Sequence, residues 1–275
     1  MLDSAIAPWF KLWNLTPDGA EIVTPRARLF PVRRDGQPAI LKVLSDISDE
    51  TDAPRALAHF AGRGAVRVLE HDDGAVLLER AVPSTPLTGL VAEGRDDEAT
   101  AIIADIAAAL HHGDPPDGFA TVDTWADGFR RQRERGPHPL LPPAMLDRAE
   151  TLYRDLAASQ GRRFLLHGDL HHENILRGER GWLVVDPKGL VGEAAYEVVM
   201  SLGNPHTLWP YPGDRNVMAR RVAIFAERLA LDRDRILNWA FAHMVLGACW
   251  HIEDGNPDAD VGRSLAMADV AASLL

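Results

Sequence analysis

The run His167-Gly168-Asp169-Leu170-His171-His172-Glu173-Asn174, followed by Asp186 after the apolar stretch Trp182-Leu183-Val184-Val185, sets two carboxylates and an amide at intervals that suit metal-assisted phosphoryl transfer. A hydroxyl attacking the terminal phosphate of ATP gives up its proton as the new bond forms, and a carboxylate within hydrogen-bond reach can receive it. Asp169 is the candidate for that role. Mg²⁺ is a hard cation that takes oxygen ligands and bridges phosphates, so Asn174 and Asp186 are the candidate metal ligands. Lys188 stands two residues past Asp186, where its charge could offset that of the transferred phosphate. Zinc is the competing reading, because His167, His171 and His172 lie close together. Gly168 and the β-like flanks argue against the helix that an HxxxH ligand pair needs, so His171 and His172 are expected to be loop residues.

The loop must be held by flanking strands. Leu170 and Ile175-Leu176 are apolar anchors, and Gly178 and Gly181 mark a turn, giving the order strand, catalytic loop, strand, turn, strand, metal carboxylate. Upstream, Thr24-Pro25, Arg28 to Arg34 and Pro38 to Leu44 read as three antiparallel strands, with Asp35-Gly36 turning between the last two. Lys42 lies inside the last of these, where it could reach the ATP phosphates if an acid on the next helix holds it. Glu50 is the candidate acid and Asp52 its alternative. The following helix carries Ala53, Ala56, Leu57 and Phe60 on one face and stops near Gly62 and Gly64. Ala75 to Ala81 reads as a strand running into the Pro83 and Pro86 segment, a hinge where backbone groups near Glu79 and Ala81 would pair with adenine. No GxxxxGK[ST] stretch exists, and the loop Thr24 to Arg28 lacks the glycines of a kinase phosphate loop, leaving backbone amides or Arg26 and Arg28 for phosphate cover.

The remainder reads as helical. Ala99, Ile102, Ile103, Ile106, Ala107 and Leu110 recur at helical spacing, and further helices are expected near 144–160, 215–231 and 233–252. The charged residues 130–136 and the prolines at 137, 139, 142 and 143 read as a loop or break between helices. Trp239, Phe241, Met244, Leu246 and Trp250 read as core. The acids Glu193, Glu197, Glu253, Asp254, Asp258 and Asp260 are candidates for an acceptor pocket that pairs with ammonium or guanidinium groups.

The chain carries 29 basic against 40 acidic residues, a net charge of -11. That balance disfavours nucleic acid and anionic membrane surfaces and favours cationic ligands. One cysteine, Cys249, cannot form an internal disulfide, which fits a reducing cytoplasm, and its apolar surroundings predict burial. Met1-Leu2-Asp3-Ser4 lacks the pattern of a signal peptide, and neither a membrane span nor an internal repeat is expected. A monomer is expected.

The segments Pro17-Asp18-Gly19, Pro31-Val32-Arg33-Arg34-Asp35-Gly36, Gly62-Arg63-Gly64-Ala65-Val66-Arg67, Leu77-Leu78-Glu79, His167 to Leu176 and Trp182 to Gly192 resemble the aminoglycoside phosphotransferase superfamily. They are most similar to its streptomycin 6-phosphotransferase and hydroxyurea phosphotransferase branch, with Asp186-Pro187-Lys188-Gly189-Leu190-Val191-Gly192 the most specific segment. The resemblance runs from about residue 15 to the end. It implies an α+β, two-lobed protein-kinase-like fold: a small β-rich N-lobe over 1–80 and a larger, mainly helical C-lobe over 81–275. It implies ATP and Mg²⁺ as co-substrates and phosphate transfer to a hydroxyl of a small cationic antibiotic, an aminoglycoside or aminocyclitol with streptomycin foremost. Carried over by position, Asp169 resembles the catalytic base, Asn174 and Asp186 the metal ligands, Lys42 the phosphate lysine and Glu50 the helix acid. Two departures stand out. Glu173 replaces a residue that is small in the wider family, and Glu193-Ala194-Ala195-Tyr196-Glu197 stands where many members read Gly-Asp-Pro-Ala-Tyr-Asp. The alternatives are a kinase for hydroxyurea or another hydroxylated metabolite, and a nucleotide-binding pseudokinase.

Overall fold

The computed structural model describes residues 6–24, 27–45 and 52–275. Its N-terminal part is built on a six-stranded antiparallel sheet: β1 (Leu15–Pro17), β2 (Ile22–Val23), β3 (Ala27–Arg34), β4 (Gln37–Leu44), β5 (Val68–Asp72) and β6 (Ala75–Glu79), in the spatial order β1-β3-β4-β6-β5 with β2 on β3. The long β3–β4 hairpin turns at Asp35-Gly36, both at positive φ, and pairs Leu29 with Lys42. Period-two alternation in β6 sends Ala75 and Leu77 to one face of the sheet and Val76 and Leu78 to the other. On the first face they join Phe30, Val32 and Leu41 under helix α1 (Ala7–Leu12). On the second they meet Ala56, Leu57 and Phe60 of α2 (Ala53–Phe60), and this core is continuous with that of the helical part.

The sequence expectation for the hairpin and for α2 holds. Thr24 follows β2, and Pro25, Arg26 and Glu50 lie outside the described residues. Strand β5 was not anticipated: its pattern leaves Leu69, His71 and Asp72 exposed, so no apolar alternation marks it.

Beyond β6 the chain forms β7 (Thr85–Pro86), α3 (Thr88–Ala92), α4 (Asp96–Leu110), β8 (Ala120–Thr121), α5 (Val122–Trp125), α6 (Asp127–Arg135) and α7 (Pro143–Ala158). Next come β9 (Arg163–Leu166), β10 (Ile175–Gly178), β11 (Gly181–Val184), β12 (Leu190–Glu193), α8 (Ala194–Glu197), α9 (Val199–Leu202), α10 (Arg215–Leu229), α11 (Arg233–Glu253) and α12 (Asp258–Ser273). Two small sheets frame the catalytic loop: β11-β10-β7 and β8-β12-β9. Helix α11 is the central element, burying Trp239, Phe241, Met244, Leu246 and Cys249. Burial pushes the Cys249 thiol up to about 12, the behaviour of an inert core cysteine.

One expectation fails here. Residues 127–135 form helix α6 rather than a loop, because Gly128, Phe129 and Gln132 share a buried face while the charges point outward. Gly128 is required there: a Cβ would come within 2.6 Å of Leu246 and 2.7 Å of Trp250. Among the described residues no helix is long and apolar enough to cross a membrane.

Candidate active site

The strand order read from the sequence is the order observed, and it fixes the catalytic loop at both ends. β9 delivers His167, the fully buried Leu170 and Ile175 pin the loop, and β10 and β11 lead to Asp186. Gly168 has φ +79, and a Cβ on it would meet the Cβ atoms of Leu190 at 3.1 Å and Lys188 at 3.3 Å, so the turn is restricted to glycine by backbone and by space. His167 is buried and locked. Its Nδ1 accepts the Asp169 N–H at 3.2 Å, so Nε2 carries the proton and donates to the Val185 carbonyl at 2.8 Å. Burial lowers its pKa and keeps the ring neutral.

Asp169 sits beside His171, whose Nε2 is 3.4 Å from its Oδ1. Burial pushes the Asp169 carboxyl up, but the hydrogen bond and charge of His171, with the charge of Lys188, outweigh it and hold the carboxyl down to about 2. His171 shows the converse. Burial pushes it down, yet Asp169 and Glu173, the latter 2.8 Å from Nδ1, raise it to about 9. The larger shift of His171 follows from its having two carboxylates. His172 is buried with both ring nitrogens unbonded and is held neutral by burial. A 3₁₀ turn over His172–Asn174, and no helix, occupies this stretch. Among the described residues no cluster of three or more His, Cys, Asp or Glu could hold a metal.

Asn174 donates its amide Nδ2 to the Asp169 carbonyl at 3.0 Å, which leaves Oδ1 as the atom it can offer a hard cation. Its own carbonyl accepts the Val185 N–H at 3.0 Å, bringing Asn174 next to Asp186. Asp186 adopts φ 56, a left-handed conformation costing roughly 1–2 kcal/mol in a non-glycine residue. Its Oδ1 receives Lys42 Nζ at 2.7 Å across 144 residues of sequence. Lys42 itself is only 4% exposed, so the pair is fixed from the sheet side and open on the carboxylate side. An amide oxygen and one carboxylate, with a lysine alongside, fit Mg²⁺ that completes its shell with phosphates and water, the usual way this ion is held.

Glu79 and Ala81 lie where the sheet passes into the helical part. The Glu79 carboxylate binds Arg180 at 2.6 and 2.8 Å and the Arg67 N–H at 3.0 Å, and its own N–H is donated to the Arg67 carbonyl. Arg180, from the β10–β11 turn, also reaches the carbonyls of Gly62 and Ala65 at 2.9 and 3.0 Å. Arg180 therefore ties β6 and the segment after α2 to the β10–β11 hairpin. Ala81 is buried against Gly178.

On the other side of Asp169 opens a cavity of about 470 Å³ lined by Trp125, Lys188, Met200, His243, Trp250, Glu253 and Asp254 among others. Its floor is rigid. Tyr153 donates to the Val122 carbonyl at 2.9 Å, Tyr196 contacts Tyr153 at 3.1 Å, and Tyr196 Oη lies 2.8 Å from His243 Nδ1. The rings of Tyr153, Tyr196 and Trp239 meet edge to face. Trp125 and Trp250 meet edge to face in the wall, 5.4 Å apart. Trp250 is thus a cavity residue as well as a packing one, a role that helical periodicity alone cannot assign.

Of the six acids expected at an acceptor pocket, Glu253 and Asp254 line it. Glu253 is held by Arg131 at 2.8 and 3.0 Å. The others serve elsewhere: Glu193 is buried against Arg235 at 2.6 Å, Asp260 pairs with Arg263, and Asp258 lies 3.9 Å from His138. Glu197 is fully buried beneath the catalytic loop.

Residues 12–255 match the family model described as aminoglycoside/hydroxyurea antibiotic resistance kinase. The chain is 37% identical over 253 residues to a streptomycin 3''-kinase of Klebsiella pneumoniae, covering 88% of this chain and 91% of that protein. It is 32% identical over 262 residues to a streptomycin 6-kinase of Streptomyces griseus, covering 92% and 84%. Among solved structures, a thermostable mutant of an aminoglycoside phosphotransferase, in ternary complex with ADP and hygromycin B, superposes with a TM-score of 0.70 at 16% identity over 98% of this chain and 99% of that one. That likeness establishes the two-lobed kinase-like fold, with a β-rich N-lobe and a larger helical C-lobe.

Proposed function

The chain belongs to the aminoglycoside/hydroxyurea antibiotic resistance kinases, and from that premise we propose that it transfers the γ-phosphate of ATP, with Mg²⁺, to a hydroxyl of streptomycin, the 6-hydroxyl first. The observation that carries the acceptor reading is the position of Asp169. It lines a cavity of about 470 Å³ whose wall also bears Glu253, Asp254, Trp125 and Trp250, acids and aromatic faces that suit a cationic sugar. In this reading the N-lobe runs to residue 80 and the C-lobe from 81, a division supported by the end of β6 at Glu79.

The geometry supports the following assignment of roles. Lys42, fixed in β4, holds the phosphates on the sheet side. Asn174 and Asp186 would hold Mg²⁺, which would supply positive charge to offset that of the phosphates. Asp169 accepts the hydrogen bond of the acceptor hydroxyl and orients it. With a pKa of about 2 it stays ionised throughout the working range, so it receives the proton late, as the loose transition state of phosphoryl transfer allows. Lys188 stands beside Asp169 in the same cavity wall and offsets charge on the transferred group. Glu79 and Ala81 frame the adenine end.

The test is ADP release by the purified protein with Mg-ATP, alone and with streptomycin, other aminoglycosides and hydroxyurea as parallel acceptors. Stimulation by streptomycin, with the product located by NMR, supports the reading and decides between the 6 and 3'' hydroxyls. ATP binding without stimulation by any of them would turn the search to another hydroxylated metabolite, and no ATP turnover at all would favour a binding module.

A further inference from the structure

A second cavity of about 470 Å³ opens at the other end of the β9–β12 pair, away from Asp169. Its wall combines the end of α4, the start of β9, the end of β12 and the α10–α11 corner, contributing His111, Arg162, Phe164, Glu193, Leu229 and Leu231. Most of the charged groups in this wall are already engaged. Glu193 is spent on Arg235, Trp239 and the Gly161 N–H, and Asp232 caps α11 through the Arg235 N–H at 2.7 Å. Arg228 is paired with Asp105 at 2.6 Å. Arg162 has no carboxylate partner among the described residues; its polar contact is a long one, 3.4 Å to the Gly113 carbonyl.

Arg162 also lies over the Phe164 ring, 5.0 Å from its centroid, and His111 stacks on that ring at 5.1 Å. The His111 side chain is 7% exposed, and its Nε2 makes no hydrogen bond. An occupant that completes this wall must bring acceptor oxygens to Arg162 and a flat apolar face to Phe164, Leu229 and Leu231. Inorganic phosphate satisfies only the first demand, because it would set a strongly hydrated anion against leucines. We propose that this cavity is a second binding site, separate from the acceptor cavity, for a small aromatic carboxylate, with Arg162 as its charge partner. The ligand pairs its carboxylate with the guanidinium fork and lays its ring beside Phe164 and the leucines. The site is not remote from the chemistry. His111 Nε2 is 3.5 Å from Glu197, whose carboxylate holds the catalytic loop.

Fluorine NMR with 4-fluorobenzoate tests this on the full chain without any turnover, so failure here leaves the phosphotransferase reading untouched. Binding is expected with a dissociation constant on the order of 1 mM, the scale for a ligand of about ten heavy atoms. Arg162→Ala and the milder Arg162→Gln should each weaken it at least tenfold, Arg131→Ala in the acceptor cavity should leave it unchanged, and 4-fluorobenzylamine should not bind. Absence of binding overturns the proposal, as does binding that survives both Arg162 variants or is lost in Arg131→Ala.

Discussion

The buried carboxylate of Glu197 accepts the backbone N–H of Gly168 at 3.1 Å through one oxygen, while its other oxygen accepts the N–H of His167 at 2.7 Å. Two orphan donors at the start of the catalytic loop are thereby satisfied by one side chain from α8, which sets where Asp169 begins. Glu197→Gln keeps the shape but turns an NH₂ toward one of those N–H groups. The variant should lose about 1–3 kcal/mol of stability. It should also lose roughly 10²-fold in kcat from displacement of Asp169, with KM for ATP little changed. Thermal melts and steady-state kinetics check both; a lowered melt with unchanged kcat would mean that Glu197 supports the core but does not position the loop.

Asp169→Ala should lower kcat by roughly 10²- to 10⁴-fold, the scale of a positioned proton acceptor. ATP binding should persist, since Lys42, Asn174 and Asp186 remain. Comparing kcat with ATP affinity measured by calorimetry separates the two effects, and turnover that survives the substitution would remove Asp169 from its role.

The candidate site was legible in the sequence where it is contiguous. Residues 167–186 carry their own strand, turn and strand signals, so Asp169, Asn174 and Asp186 could be placed from local patterning alone, and Lys42 from its apolar neighbours in β4. The Lys42–Asp186 contact was not, because it joins residues 144 apart. Glu193 and Glu197 were misread for a physical reason: an acid in sequence looks solvated, and only the fold reveals Arg235 beside one and two backbone amides above the other. Charge also hid α6, whose nine residues include three buried ones among arginines and acids. The β5 edge strand and α12 lack the strong periodicity by which α2 and α4 are recognised.

The Asp169–His171–Glu173 cluster predicts an alkaline loss of stability. His171, normally near 6.5, is raised to about 9 in the folded protein, so its contribution is complete below pH 6.5 and disappears as pH rises through 9. Asp169, lowered from 3.8 to about 2, contributes above pH 3.8 and loses that contribution as pH falls through 2, so it is silent in the alkaline range. Denaturation of the protein in EDTA, followed from pH 6 to 10, should show stability declining by a few kcal/mol at most between about pH 6.5 and 9 and levelling off above that. His171→Gln should flatten the decline. An unchanged slope in that variant would place the alkaline transition on another group.

Lys42→Met removes the ammonium from the Asp186 carboxylate while keeping the length of a buried side chain. The fold should tolerate it, because the methyl thioether fills most of the lysine stem's volume in β4 and Asp186, 38% exposed at its side chain, can turn to solvent. The phosphates then lose a fixed cation, and kcat/KM for ATP should fall by roughly 10²- to 10³-fold, as when one preorganised donor is deleted from a charged site. Asn174→Ala acts on the other side of the same group and should instead raise the Mg²⁺ concentration for half-maximal rate about 10- to 100-fold, so that excess Mg²⁺ restores part of its activity. Titrating Mg²⁺ at saturating ATP distinguishes them: rescue of Asn174→Ala but not of Lys42→Met is expected, and rescue of neither would take Asn174 out of the metal site.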